Sequence, residues 1–92
     1  MSEGKVFDRD EAKSIGDRLQ VDWDKVDLEQ FRMGLAVELE HGSRDPETDV
    51  THNDPMLTGK IALAHLHEFP DYYTRLAEME AEAEAYWENR RA

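Results

Sequence analysis

Two pairs of side chains carry most of the chemistry this sequence offers. Glu38 and His41 stand three positions apart in VELEHG, and His65 and Glu68 do the same in AHLHE. Residues three apart are neighbours on a helix, so each pair presents an imidazole and a carboxylate together. Two carboxylates with two imidazoles suit zinc, manganese or iron. Inward Glu-x-x-His pairs build the di-metal sites of ferritin-like bundles, but those sites also use two further helix-borne glutamates. Here the order within the second pair is reversed. The structural alternative starts from the stripe Leu57, Ile61, Ala64, His65 and Glu68, which share a face at about 100° per residue. There Glu68, near a helix C-terminus that disfavours negative charge, takes a donor from Lys60, Arg75, Tyr72 or Tyr73. Glu38 pairs with Arg32 or Arg75, His41 and His65 are satisfied internally, and His67 faces solvent.

Other patterns are weaker. Asp45, Glu47 and Asp49 alternate, but the glycine and the twelfth-position Glu of an EF-hand loop are missing. Thr58-Gly59-Lys60 lacks the glycine-rich stretch and preceding strand of a phosphate loop. Ser14, Ser43 and the threonines have no recognisable nucleophile context. With no cysteine in the chain, disulfides, thiolate metal sites and thiol catalysis are excluded.

Four helices follow from capping chemistry. Asp8 and Glu11 form a capping box for a helix over about Arg9 to Leu19, with Ala12, Ile15 and Leu19 inward. Val21, Trp23 and Val26 lie in a loop over the core edge. Asp27 and Gln30 open the second helix, with Val26 against Phe31 as a hydrophobic staple. Leu28, Phe31, Leu35, Glu38 and Leu39 share its face, and Gly42 is the expected C′ residue. The stretch 42–54 reads as a long polar loop. Asp54 and Pro55 start the third helix, and Pro70 stops it near Glu68. The fourth, about Asp71 to Arg90, spaces Tyr72, Leu76, Met79, Ala83 and Tyr86 by fours and threes. That seam is under three heptads long and is expected to lie within a bundle rather than in a free coiled coil. Of Tyr72 and Tyr73, one ring is expected inside and the other at the rim.

Those elements constrain the candidate site. In an antiparallel hairpin of helices two and three, the two Glu/His pairs would lie about 10 Å apart along the axis, at roughly 1.5 Å per residue. They meet only if the long loop carries the chain back so that the helices run parallel or cross steeply, or if a two-fold dimer joins them.

Twenty-two acidic against eleven basic residues give a net charge of −11, which disfavours phosphate backbones and anionic lipid surfaces alike. Such a balance suits a proteome adapted to high salt; an acidic patch for a basic partner is the alternative. The start MSEGKVFDRDE does not resemble a signal peptide, and no apolar run is long enough to span a bilayer.

Through VELEHG at 37–42, DVTHNDP at 49–55 and TGKIALAHLHEFPDYYTRL at 58–76, the sequence resembles a family of small uncharacterised proteins from halophilic archaea, bacteria and phages. The resemblance covers about half the chain, and it implies no activity, cofactor or catalytic residue.

The expectation is one all-α, four-helix domain over residues 1–92, frayed at 1–7 and 91–92, soluble and cytoplasmic, without nucleic-acid or membrane partners. The leading functional reading is a non-catalytic module without a cofactor, forming a homo-oligomer or binding another protein through helices three and four. Leu63 and Leu66, opposite the Ile61 stripe, motivate it. The alternative is a metal protein holding Zn, Mn or Fe on Glu38, His41, His65 and Glu68, and working as a metal-dependent enzyme.

Overall fold

Side-chain caps set the helix starts in the computed structural model, which describes residues 7–44, 46, 47, 49, 52 and 54–91. The described residues form four helices and no strand: α1 (Arg9–Arg18), α2 (Leu28–Arg44), α3 (Pro55–Glu68) and α4 (Tyr72–Arg91). Asp8 accepts the Glu11 N–H at 2.7 Å while the Glu11 carboxylate takes the Asp8 N–H at 3.3 Å, the reciprocal box expected for α1. Asp27 accepts from the Gln30 N–H at 3.0 Å, and Asp54 accepts from the Met56 N–H at 2.8 Å with Pro55 following. Phe69 is extended (φ −148°, ψ 123°), as a residue before proline tends to be, and α3 ends there.

Two expectations about α2 need correction. The helix runs through Gly42 to Arg44, and no described glycine has positive φ; a helical glycine costs only about 1 kcal/mol relative to alanine. The Gln30 side chain does not reach back to its own cap. Its Oε1 accepts the Tyr73 N–H at 3.2 Å and its Nε2 donates to Thr74 Oγ1 at 2.6 Å, so it satisfies an unpaired donor at the start of α4 instead.

Helix α2 is the centre of the fold and packs on each of the other three. Phe31 and Leu35 are fully buried on it, with Val26, Val21, Ala12 and Phe7 around them. Phe7, inside the stretch expected to fray, is only 2 % exposed, and Arg32 donates to its carbonyl at 3.2 Å. Trp23 lies over Gly16 of α1, and its indole N–H donates to Asp17 at 2.8 Å.

The core face of α3 is rotated from the expected stripe. Thr58, Gly59, Ala62 and Leu66 are its buried residues, whereas Leu57 is 41 % exposed and Ala64 and Glu68 are exposed. Apolar residues surround most of this helix, so periodicity alone does not choose a face. The smallest residues choose it. Gly59 admits Leu19 and Ile15 of α1, and Ala62 lies against Gly34 of α2. Leu66 is 5 % exposed and Leu63 packs on the core, so the second apolar side inferred for α3 is covered from within.

Helices α2 and α3 run in the same sense. Going along α2, Phe31 approaches Gly59, Gly34 approaches Ala62, and Glu38 reaches His65. The ten residues between Arg44 and Pro55 can span roughly 33 Å at about 3.3 Å each. That exceeds the ~25 Å length of the seventeen-residue α2, so the return is possible.

Helix α4 departs most from expectation. Tyr72 and Leu76 are half-buried, but every residue from Ala77 to Arg90 is exposed. Met79 and Tyr86, expected in a bundle seam, are 58 % and 49 % exposed, and Trp87 is 58 % exposed. At about 1.5 Å per residue, α4 reaches roughly 30 Å, and the rest of the described chain covers only its beginning.

Candidate functional site

A polar knot joins α2, α3 and α4 where the chain turns into its last helix. Tyr73 is 1 % exposed, with its ring in a notch made by Gly34. A Cβ at Gly34 would stand 2.5 Å from Tyr73 Cε2 and 3.0 Å from the Ala62 Cβ. The ring therefore depends on a missing methyl group. At the far side of the notch the Tyr73 hydroxyl donates to Glu38 Oε2 at 2.7 Å. His65 Nδ1 lies 2.9 Å from that same oxygen and 3.0 Å from the Tyr73 hydroxyl.

With Glu38 ionised, its oxygen accepts from both the phenol and the imidazole Nδ1–H. The carboxylate thus fixes a ring proton on Nδ1, so that Nε2 carries the lone pair when the ring is neutral. Tyr72 stacks on the His65 ring at 4.4 Å with planes 2° apart, and meets Tyr73 edge-on at 5.1 Å. Of the two adjacent tyrosines, one ring is inside and the other at the rim, as expected. Burial, then the bond to Glu38, hold the Tyr73 phenol protonated far above its ordinary range. The Glu38 side chain is only 10 % exposed, and a carboxylate so placed must be hydrogen-bonded to be tolerated. No buried side-chain polar atom lacks a partner among the described residues.

The four side chains singled out in the sequence separate into three places. Glu38 and His65 meet. His41 Nε2 turns away to Glu80 Oε2 of α4 at 3.4 Å, and Glu68 points into solvent. Among the described residues, no group of three or more His, Cys, Asp or Glu side chains stands close enough to share a metal ion. Of the cations considered as partners, the two arginines are engaged elsewhere, Arg32 with Glu29 and Arg75 with Asp71 at 2.8 Å while lying 4.4 Å over the Phe69 ring, and Lys60 is exposed. His67 is exposed, as expected.

Beyond the knot, α2 and α4 enclose a groove of about 580 Å³. Val37, Ala77, Ala81 and Ala83 give it small apolar surface, while Glu40, His41, Glu80, Glu84, Glu88 and Trp87 complete its lining. The groove exists because the knot and Gln30 hold the start of α4 against α2.

A family model matches residues 12–82, a span containing the whole knot. The chain belongs to the DUF5661 family. That family is described as a protein of unknown function, in agreement with the uncharacterised family inferred from the sequence strings. No curated protein and no solved structure matches the chain. No helix among the described residues is long and apolar enough to cross a membrane.

Sequence reasoning missed Tyr73 as the partner of Glu38, Gln30 as a clamp on α4, and the groove. One signal was available for the first. Gly34 sits inside an otherwise regular amphipathic helix, and an isolated helical glycine often marks a close approach.

Proposed function

We propose that the protein is a non-catalytic helical module that engages another polypeptide through the exposed part of α4. The observation that supports this most is the exposure of Met79, Tyr86 and Trp87 at 58 %, 49 % and 58 % within nine positions of one helix. An uncovered helix of that length is marginal in water, and clustered exposed apolar side chains mark association surfaces. Past the half-buried Leu76, the seam positions Met79, Ala83 and Tyr86 keep their heptad spacing on an exposed stretch of the helix. The polar knot is then a positioning device: it fixes where α4 leaves the core.

The test is site-specific photocrosslinking in cells, with p-benzoylphenylalanine at Met79 and, as control, at Lys13 on the exposed side of α1. Discrete adducts from position 79 alone, whether homodimers or heterodimers, support the reading. Equal adducts from both positions, or none from either, reject it.

A second reading, a divalent-metal protein, draws support from Glu38 at His65 Nδ1, since metal-binding imidazoles are oriented by such carboxylates. Zinc, manganese or iron would take Nε2, with further ligands from outside the knot. Metal content of the purified protein and its His65→Ala variant tests this. Stoichiometric metal lost in the variant favours it. Metal-free protein whose melting is unchanged by added zinc or manganese removes it.

A further inference from the structure

We infer that the groove between α2 and α4 accepts a basic amphipathic helix of a partner protein. This rests on the reading of α4 as an interaction surface and names the chemistry of its partner. Val37, Ala77 and Ala81 give the groove an apolar lining of small side chains, suited to the apolar stripe of a helix. Glu80, Glu84 and Glu88 follow one another along the wall at spacings of four, and among the described side chains no Lys or Arg lines the groove. Glu80 is met by His41 at 3.4 Å; that contact leaves Glu84 and Glu88 to a partner's cations. Trp87 stands at the same wall, 58 % exposed, and offers a ring face to a lysine or arginine, the pairing such faces favour.

A second copy of this chain is the poorer occupant. Its net charge is −11, and its own α4 would bring a row of glutamates against the glutamates of the wall, where like charges oppose binding. A helix with small apolar residues on one stripe and lysines or arginines beside it meets both features of the groove at once.

The test uses the full chain labelled with ¹⁵N and two synthetic helical peptides. One carries an alanine and leucine stripe flanked by lysines; the other has every lysine replaced by glutamate. The indole N–H of Trp87 reports the groove, and that of Trp23, held by Asp17 at 2.8 Å, is the internal control. The lysine peptide is expected to shift the Trp87 signal and leave Trp23 in place, with affinity falling as salt rises. The double variant Glu84→Lys, Glu88→Lys, altered only at exposed positions, is expected to bind it more weakly by over about tenfold. A Trp87 signal that ignores the lysine peptide overturns the inference. So does equal binding of the glutamate peptide, or undiminished binding by the charge-reversed variant. If these fail while crosslinks form at position 79, only the groove assignment falls; if both fail, the partner-binding reading falls with it.

Discussion

Removing one oxygen atom, in Tyr73→Phe, tests whether the knot holds α4. The ring stays in the Gly34 notch, so no cavity opens; what disappears is the hydroxyl, with its 2.7 Å bond to Glu38 and its 3.0 Å contact with His65 Nδ1. A hydrogen bond to a charged group contributes about 1.5–3 kcal/mol. Glu38 keeps its 2.9 Å contact with His65, which places the expected loss near the lower part of that range, about 2 kcal/mol. For a domain this size, each kcal/mol lowers Tm by roughly 4–8 °C, so the variant should melt about 8–16 °C lower. Urea unfolding followed by circular dichroism gives the free energy, and the same is done for Glu38→Gln and the double variant. The double-mutant cycle should return a coupling of about 1–2 kcal/mol. Independent sites add within about 0.5 kcal/mol; a coupling that small would refute the knot as an energetic unit.

Further outcomes follow from the same packing. Gly34→Ala should destabilise despite alanine's helix preference of about 1 kcal/mol, because its methyl would stand 2.5 Å from a ring that is 1 % exposed. Overpacking costs about 1–3 kcal/mol, so urea midpoints at or above wild type would contradict the notch. In a variant with Tyr72 and Tyr86 changed to Phe, absorbance near the phenolate band follows Tyr73 alone. Its folded-state pKa is raised above the ordinary 10.0, so the neutral phenol's contribution is complete below pH 10 and declines as pH rises further. The phenolate should appear only together with loss of helicity; ionisation of folded protein would contradict the burial. At the acid end, the Trp23 indole N–H, then Lys13, hold the Asp17 carboxyl below its ordinary 3.8. Its contribution is complete above that value and is lost as pH falls through the lowered one, so wild type should lose more stability than Asp17→Asn over that range in acid titrations monitored by tryptophan fluorescence. Parallel curves would reject the link.

The sequence was legible where local chemistry decides the outcome. Asp8 with Glu11, Asp54 with Pro55, and Pro70 punctuate the chain by short-range hydrogen bonds and by a missing donor. Such signals do not depend on what packs where, and all four helices, α2 after Asp27 included, begin within a residue of where they point. Glu38 and His65 could be named as inward polar groups, but their meeting depended on the direction of α3, which the long loop left open. The face of α3 was misread because Leu57, Ile61, Leu63 and Leu66 surround it. Gly59 and Ala62 select the face by their smallness, which hydrophobic periodicity counts against them. The seam of α4 was visible, but spacing alone does not say whether its partner belongs to the same chain.

The most direct test is a distance measured across the knot. The chain has no cysteine, so Lys60→Cys on α3 and Glu84→Cys on α4, both exposed, can carry nitroxides cleanly for pulsed electron-electron resonance. One narrow distance distribution is expected, broadening when Glu38→Gln and Tyr73→Phe are introduced together while the domain stays helical. A broad distribution in the parent, or an unchanged narrow one after both substitutions, would contradict the claim that this carboxylate, imidazole and phenol set the course of α4.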